Sequence, residues 1–365
     1  MCAAVGDWLR VLDGFFPPAL AEPWDNVGLQ VGDRAWEANR VLVALDPTLE
    51  VIDEAVASGC GLLVTHHPLL FHPLERLDLG GPEGRSIARA VGGRLAVVAC
   101  HTNADVAMPG VSDALAETLD LRVTGVLRAS AVEERVKLVT FVPPDATAKV
   151  LDALALAGAG VIGEYTHSSF RVRGSGTFLP SSRANPTVGE RGELNEVEED
   201  RLEMVLPAAR LAPVVQSLRT AHPYEEVAYD VYPLVSTDGL GLGRVTEPPE
   251  DITARDLVER CRDRLGVAVR AAGPLDRPAT RVALCGGAGA TLIPDALVAE
   301  ADVFVTGDLK HHQALDAAAA GLAVIDAGHH ATERPFVEAL AGTLSTAVPG
   351  AEVSVSRIST DPFTG

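Results

Sequence analysis

The chain has 365 residues, 47% of them hydrophobic, which argues against a disordered polypeptide and leads us to expect two or three domains rather than one core. Its 30 Lys and Arg stand against 50 Asp and Glu, a formal charge of −20, so the broad basic face that nucleic acid or an anionic membrane requires is not expected. A local positive site remains compatible with that balance.

From residue 40 onward, short β-branched runs alternate with helical stretches, and the runs are apolar throughout, as strands buried on both faces of a parallel sheet should be. VLVALD (41 to 46) reads as a strand, TLEVIDEAVASG as a helix, LLVT (62 to 65) as a second strand, RSIARAVGG as a helix and LAVVAC (95 to 100) as a third strand. That is a βαβαβ pattern. The middle segment has a different grammar. VKLVTFV (136 to 142) is strand-like and DATAKVLDALALAG helix-like, while 165 to 179 reads as two strands. RLEMVLP follows as a strand, ARLAPVVQSLRTA as a helix and EVAYDVYPL as a last strand; as a whole the segment fits a ferredoxin-like βαββαβ unit. Its acidic run ERGELNEVEED (190 to 200) reads as a solvated connection, because like charges repel and seldom pack. The last third returns to the alternation of the first, with RVALC (281 to 285), a helix through Ala296, DVFVT (302 to 306), a helix from about His311, LAVID (322 to 326) and a helix through ERPFVEALAGTL. The expected class is therefore α/β, two α/β lobes interrupted by a ferredoxin-like insert. The expected boundaries are 1–127, 130–238 and 239–365.

Five cysteines (Cys2, Cys60, Cys100, Cys261, Cys285) are odd in number and form no C-x-x-C pair, which fits a reducing compartment. The N-terminus carries Asp7 and Asp13 and lacks a basic stretch followed by an apolar one. No apolar run approaches the roughly 20 residues that cross a bilayer. A cytoplasmic protein with no membrane partner is expected.

Three polar clusters directly follow predicted strands: His66-His67-Pro68, His101-Thr102-Asn103-Ala104-Asp105 and His329-His330-Ala331-Thr332-Glu333. In open α/β sheets the cleft lies beyond the carboxyl ends of the strands, so all three can reach one cavity. His329 and Glu333 are four apart where a helix begins and share a helical face. Adjacent imidazoles such as His66 and His67 project differently and rarely chelate one ion, which suggests two ions side by side, with the Glu333 carboxylate between them. With Asp105, the set is His66, His67, Asp105, His329 and Glu333. Three imidazoles and two carboxylates suit two divalent ions of the Zn, Mn, Fe or Co type and are too nitrogen-rich for Ca.

Other residues complete the reading. His101 and His312 are candidate catalytic residues, His101 as a proton shuttle, and His312 or Lys310, in TGDLKHH after DVFVT, is a candidate phosphate contact. Lys310 is one of only three lysines, although a polar helix start accounts for the same residues. Cys285-Gly286-Gly287-Ala288-Gly289 offers backbone N–H groups to a phosphate, or else serves a tight strand-to-helix turn. Trp24-Asp25-Asn26-Val27-Gly28 reads as a turn, with nothing physical in it that demands a function.

PWDNVGLQVGD (23 to 33), THHPLLF (65 to 71), HTNADVAMPGVSDALA (101 to 116), TGDLKHHQALDA (306 to 317) and GHHATE (328 to 333) together resemble the NIF-three-like family of dinuclear metal-centre hexameric proteins. Members are often labelled GTP cyclohydrolase I type 2 homologues. The resemblance covers both α/β lobes and implies the same five ligands, with Glu333 shared. It also implies a PII/CutA-like insert ending in AHPYEEVAYDVYPL, and a homohexamer built as a trimer of dimers. His330 and His311 stand where the family commonly has aromatic residues, which leaves His330 as an alternative to His329. The activity implied is that of a metal-dependent hydrolase acting on a nucleotide or phosphoester. The rival is a non-catalytic metal-binding regulatory or adaptor protein with a ligand-sensing insert.

Overall fold

A computed structural model describes residues 3–130, 135–234, 239–348 and 350–363. The chain divides into two units, one made of residues 1–130 with 239–365 and the other of 131–238.

The first unit holds two sheets. One is assembled from β1 (Gly28–Val31), β2 (Arg40–Ala44), β3 (Leu62–Thr65), β4 (Ala96–Ala99) and β15 (Glu352–Val355), in the order β1-β4-β3-β2-β15. All but β1 run parallel. Every residue of β3 and β4 is buried, which explains their unbroken apolar runs. Helix α1 (Val5–Phe15) covers one face through Val5, Trp8, Leu9 and Leu12, while α2 (Leu49–Ala57) and α3 (Pro82–Gly92) pack on the other. Thr48 starts α2, its hydroxyl accepting from the Val51 N–H at 3.3 Å.

The second sheet combines β5 (Arg122–Ala129), β10 (Gly241–Glu247), β11 (Arg270–Ala272), β12 (Val282–Leu284), β13 (Val303–Thr306) and β14 (Ala323–Asp326), in the order β11-β14-β13-β12-β10-β5. Its centre, β12-β13-β14, is parallel. Helix α8 (Ala254–Leu265) covers one face, α9 (Ile293–Val298) and α10 (His311–Ala319) the other.

Two features join the sheets. Helix α11 (His329–Ala347) leaves the end of β14, yet buries Phe336, Val337, Leu340 and Leu344 in the core of the first sheet. Arg244 on β10 is fully buried and fully satisfied. It makes a two-pronged ion pair with Asp113 of α5 (Val111–Thr118), at 2.9 and 2.7 Å, and donates to the carbonyls of Gly241, Gly243 and Ala107. Ala107 ends α4 (Thr102–Val106), the short helix that carries Asp105.

The second unit contains β6 (Arg135–Val142), α6 (Thr147–Leu156), β7 (Phe170–Phe178), β8 (Asn195–Pro207), α7 (Leu211–Ala221) and β9 (Tyr229–Leu234). Its sheet is antiparallel throughout in the order β7-β8-β6-β9, and both helices pack on one face. Two local expectations are corrected. Residues 165 to 179 supply one strand, not two, because Tyr165 instead forms an isolated bridge to Ile162. The acidic run is not wholly a connection: from Asn195 it belongs to β8, where Arg173 of β7 pairs with Glu198 at 3.1 Å and Asp200 at 2.6 Å. Cross-strand charge thus offsets the repulsion along the strand. Among the described residues no helix is long and apolar enough to cross a membrane.

Candidate metal centre

The carboxyl ends of β3 and β4 and the start of α11 bring the predicted donors together. His66 and His67 follow β3, His101 and Asp105 follow β4, and His329 and Glu333 occupy the first turns of α11. His66 Nε2 lies 3.7 Å from Asp105 Oδ1 and 3.6 Å from Glu333 Oε1. Glu333 also faces His67 Nε2 at 3.2 Å and His329 Nε2 at 3.1 Å. The Nε2 atoms of His67 and His329 are only 3.3 Å apart. Two sets of donor atoms each lie within 4.8 Å of one another: His66, His67 and His101, and His67, His329 and Glu333.

Each imidazole is oriented through its other nitrogen. His66 Nδ1 donates to the Cys100 carbonyl at 2.9 Å, and His67 Nδ1 to Asp46 at 2.7 Å. His101 Nδ1 donates to Asp25 at 2.9 Å, and His329 Nδ1 to Asp308 at 2.8 Å. A proton fixed on Nδ1 leaves Nε2 as a bare lone pair, the arrangement in which histidines bind metals. Lone pairs and carboxylate oxygens therefore face one another across the site. His66 Nε2 and Glu333 Oε2 are buried without a hydrogen-bond partner, a costly state unless a cation or proton meets them.

The electrostatics carry the same demand for positive charge. Burial works against the His67 imidazolium, yet Asp46 and Glu333 push its pKa up to about 10. The hydrogen bond to Glu333 leads in raising His329 to about 9, with Asp308 assisting. Burial raises Asp105 to about 6, and the Glu333 charge adds to it. For Glu333 burial is the largest influence and acts upward, but His66, His329 and His67 together hold the carboxyl well below its usual range. Without metal, protons occupy the place of cations; cation binding releases them. The residues fit a cation site of imidazole and carboxylate ligands.

His330 is turned elsewhere, its Nδ1 lying 4.0 Å from Asp361, whereas His329 faces His67 and Glu333. Lys310 and His312 are exposed at the start of α10. There the Lys310 N–H donates to Gln313 at 2.9 Å, and the His312 ring sits 5.2 Å from that of His311.

The glycine-rich loop after β12 has a role other than cradling phosphate. The N–H of Gly287 donates to Thr332 and that of Gly289 to Thr306, both at 2.9 Å, so these donors point into the fold. A β-carbon on Gly287, whose φ is +65°, would stand 2.1 Å from Glu333 Oε1. Only glycine lets the loop lie against that carboxylate.

Asp25, Asp46 and Asp308 were not singled out from the sequence. Asp46 ends VLVALD, so the strand-end rule that found the histidines reaches it as well. Asp25 lies in the segment read as a turn; besides His101 it accepts from the N–H of Thr102 at 3.0 Å and from its hydroxyl.

The profile of the Duf34/NIF3 (NGG1p interacting factor 3) family matches residues 3–362. A Mycobacterium leprae protein named GTP cyclohydrolase 1 type 2 homolog is 41% identical over 370 residues, covering 100% of this chain and 96% of the relative. A Bacillus subtilis protein of the same name is 40% identical over 362 residues, covering 98% and 97%. Among solved structures, a Bacillus cereus protein related to NIF3 superposes with a TM-score of 0.71 at 38% identity, covering 100% of both chains. Staphylococcus aureus protein SA1388 gives a TM-score of 0.75 at 31% identity, covering 99% of this chain and 98% of that one. On this agreement across nearly its whole length, the chain belongs to the Duf34/NIF3 family.

Proposed function

We propose that the chain binds two divalent ions, of the Zn, Mn, Fe or Co type, and uses them as a hydrolase of a nucleotide or phosphoester. The observation that carries this reading is the convergence of unpartnered lone pairs, His66 Nε2 and Glu333 Oε2 above all, in one buried cluster. His66, His67, Asp105, His329 and Glu333 would hold the ions, with Glu333 between them because its two oxygens face three imidazoles. Such ions supply Lewis acidity and lower the pKa of water. The Cys100 carbonyl, Asp46 and Asp308 fix the ligand rings in position. His101 serves as the proton acceptor: burial, acting against the Asp25 carboxylate, holds its pKa below the usual value, so it is neutral at pH 7, with Asp25 fixing its proton on Nδ1. Lys310 and His312 are the proposed phosphate contacts; both are exposed, and Lys310 is two residues from Asp308. The relatives' names point to GTP as a member of the substrate class. A homohexamer is the assembly we infer from the resemblance.

The test pairs elemental analysis with a hydrolysis panel of nucleotides and phosphoesters, run on the wild type and on Glu333→Ala. Two metal equivalents and turnover, both lost in the variant, are expected. A chain without metal after gentle purification refutes the reading. A second reading, a non-catalytic metal-binding regulator, is favoured by a cleft of about 700 Å3 in the 131–238 unit, lined by Phe141, Phe178, Glu199, Arg201 and Tyr224 among others. Metal bound at full stoichiometry with no turnover on any substrate selects it.

A further inference from the structure

Two aromatic rings stand open beside the donor cluster. Trp24 is 59% exposed and Phe71 44%. Their centroids are 5.8 Å apart and their planes inclined at 50°, forming a shallow wedge. Both meet the His101 ring near edge-on, each at 6.1 Å. His101 is in turn 5.2 Å from the ring of His66 and 5.6 Å from that of His67. Whatever rests on the wedge is therefore next to the cluster.

The wedge is braced from below. Asn26 Nδ2 donates to the Leu70 carbonyl at 2.7 Å, the Leu70 N–H donates to Gln30 Oε1 at 2.9 Å, and Gln30 Nε2 donates back to the Asn26 carbonyl at 2.7 Å. Asp25, bonded to His101 and Thr102, fixes the residue after Trp24. Holding the rings in place before a ligand arrives lowers the entropy cost of stacking on them. The other two tryptophans differ: Trp8 is fully buried, and Trp36 lies under the Arg94 guanidinium at 5.5 Å.

We propose that Trp24 and Phe71 form a stacking platform for the heteroaromatic base of a nucleotide whose phosphate is directed to the donor cluster. The proposal rests on the reading of that cluster as a cation site. Two side chains of ~150–250 Å2 each are too small for a protein interface of ~800 Å2 per partner but match one base. A site needing cations on one side and offering flat apolar faces on the other fits a ligand that joins an anion to a planar ring.

The test uses the full chain loaded with zinc, titrated calorimetrically with GMP and with ribose 5-phosphate, while tryptophan emission is followed. GMP should bind at least ~10-fold more tightly than ribose 5-phosphate, since stacking on an aromatic side chain contributes on that order. It should also quench the emission. Trp24→Leu should reduce GMP affinity to that of ribose 5-phosphate and remove the quenching, with zinc content unchanged; Trp24→Phe should retain most of the affinity. Equal binding of the two ligands, absent GMP binding, or GMP affinity unaltered in Trp24→Leu overturns the platform. Trp24-dependent GMP binding without turnover on any substrate leaves the platform and removes the hydrolase reading. Turnover of GMP with a KM indifferent to Trp24→Leu does the reverse.

Discussion

Replacing Gly287 by Ala tests whether the glycine-rich loop sets the position of Glu333. Two costs are involved, and a second variant separates them. At φ +65° an alanine is strained by about 1–2 kcal/mol wherever it sits. Gly266, which closes α8 at φ +69° with nothing within 4 Å of its would-be β-carbon, isolates that strain. At Gly287 the new carbon also falls 2.1 Å from Glu333 Oε1, where ordinary contact begins at 3.4 Å, so the carboxylate has to retreat by more than an ångström. Metal ligands tolerate displacements of only ~0.5 Å before the site degrades, and disturbing even the groups that orient ligands lowers metal affinity by ~10- to 100-fold. Urea unfolding of the metal-free proteins should show both variants losing about 1–2 kcal/mol or slightly more. Zinc competition against a chromogenic chelator should show affinity down at least ~10-fold in Gly287→Ala alone. Wild-type affinity in Gly287→Ala, or an equal loss in Gly266→Ala, refutes the inference that the loop places the carboxylate.

Two further outcomes can be measured. Arg244→Met leaves Asp113 and three carbonyls without their buried partner and should lower the unfolding free energy by ~3–5 kcal/mol; a change in urea midpoint equivalent to less than ~1 kcal/mol contradicts the assigned network. His222 is buried and neutral, donating from Nε2 to the Phe141 carbonyl at 3.0 Å and accepting the Tyr224 N–H at Nδ1 at 3.1 Å. Burial depresses its pKa below 6.5, while the Phe141 carbonyl works the other way. Its contribution is complete above pH 6.5 and is lost as the pH falls below that value, because the unfolded chain then takes up a proton the folded one refuses, until the folded pKa is reached. Urea unfolding at pH 7.5 and 5.5 should show a smaller acid loss in His222→Gln than in the wild type; equal or greater loss rejects the assignment.

The parallel centres of both sheets were legible because LLVT, LAVVAC, DVFVT and LAVID are buried on both faces and carry no polar interruption. The edge strands β1, β5, β11 and β15 escaped notice since their half-exposed residues show no such run. The donors could be read because the end of a parallel strand is a privileged place and i,i+4 is a helical one. Of the orienting carboxylates, Asp46 lies at a strand end and falls under the same rule, whereas Asp25 sits in a turn and reaches His101 across 76 positions, a distance that no local pattern encodes. The start of β8 was hidden by its charge, which makes sense only once Arg173 is seen on the neighbouring strand. The direction of the N–H groups in the loop after β12 likewise depends on Thr306 and Thr332, both distant in the chain.

Helix α11 has 19 residues, a rod about 28 Å long. Its head presents His329 and Glu333, while farther along it is anchored by Phe336, Val337, Leu340 and Leu344 in the oily interior of the opposite sheet. Phe336 also touches the His66 ring at 5.7 Å, edge against face. A rod clamped in this way aims its tip by how its shaft is seated. Repacking at Leu340 or Leu344, about two and three turns along the helix from Glu333, therefore acts as a lever on the grip at the far end.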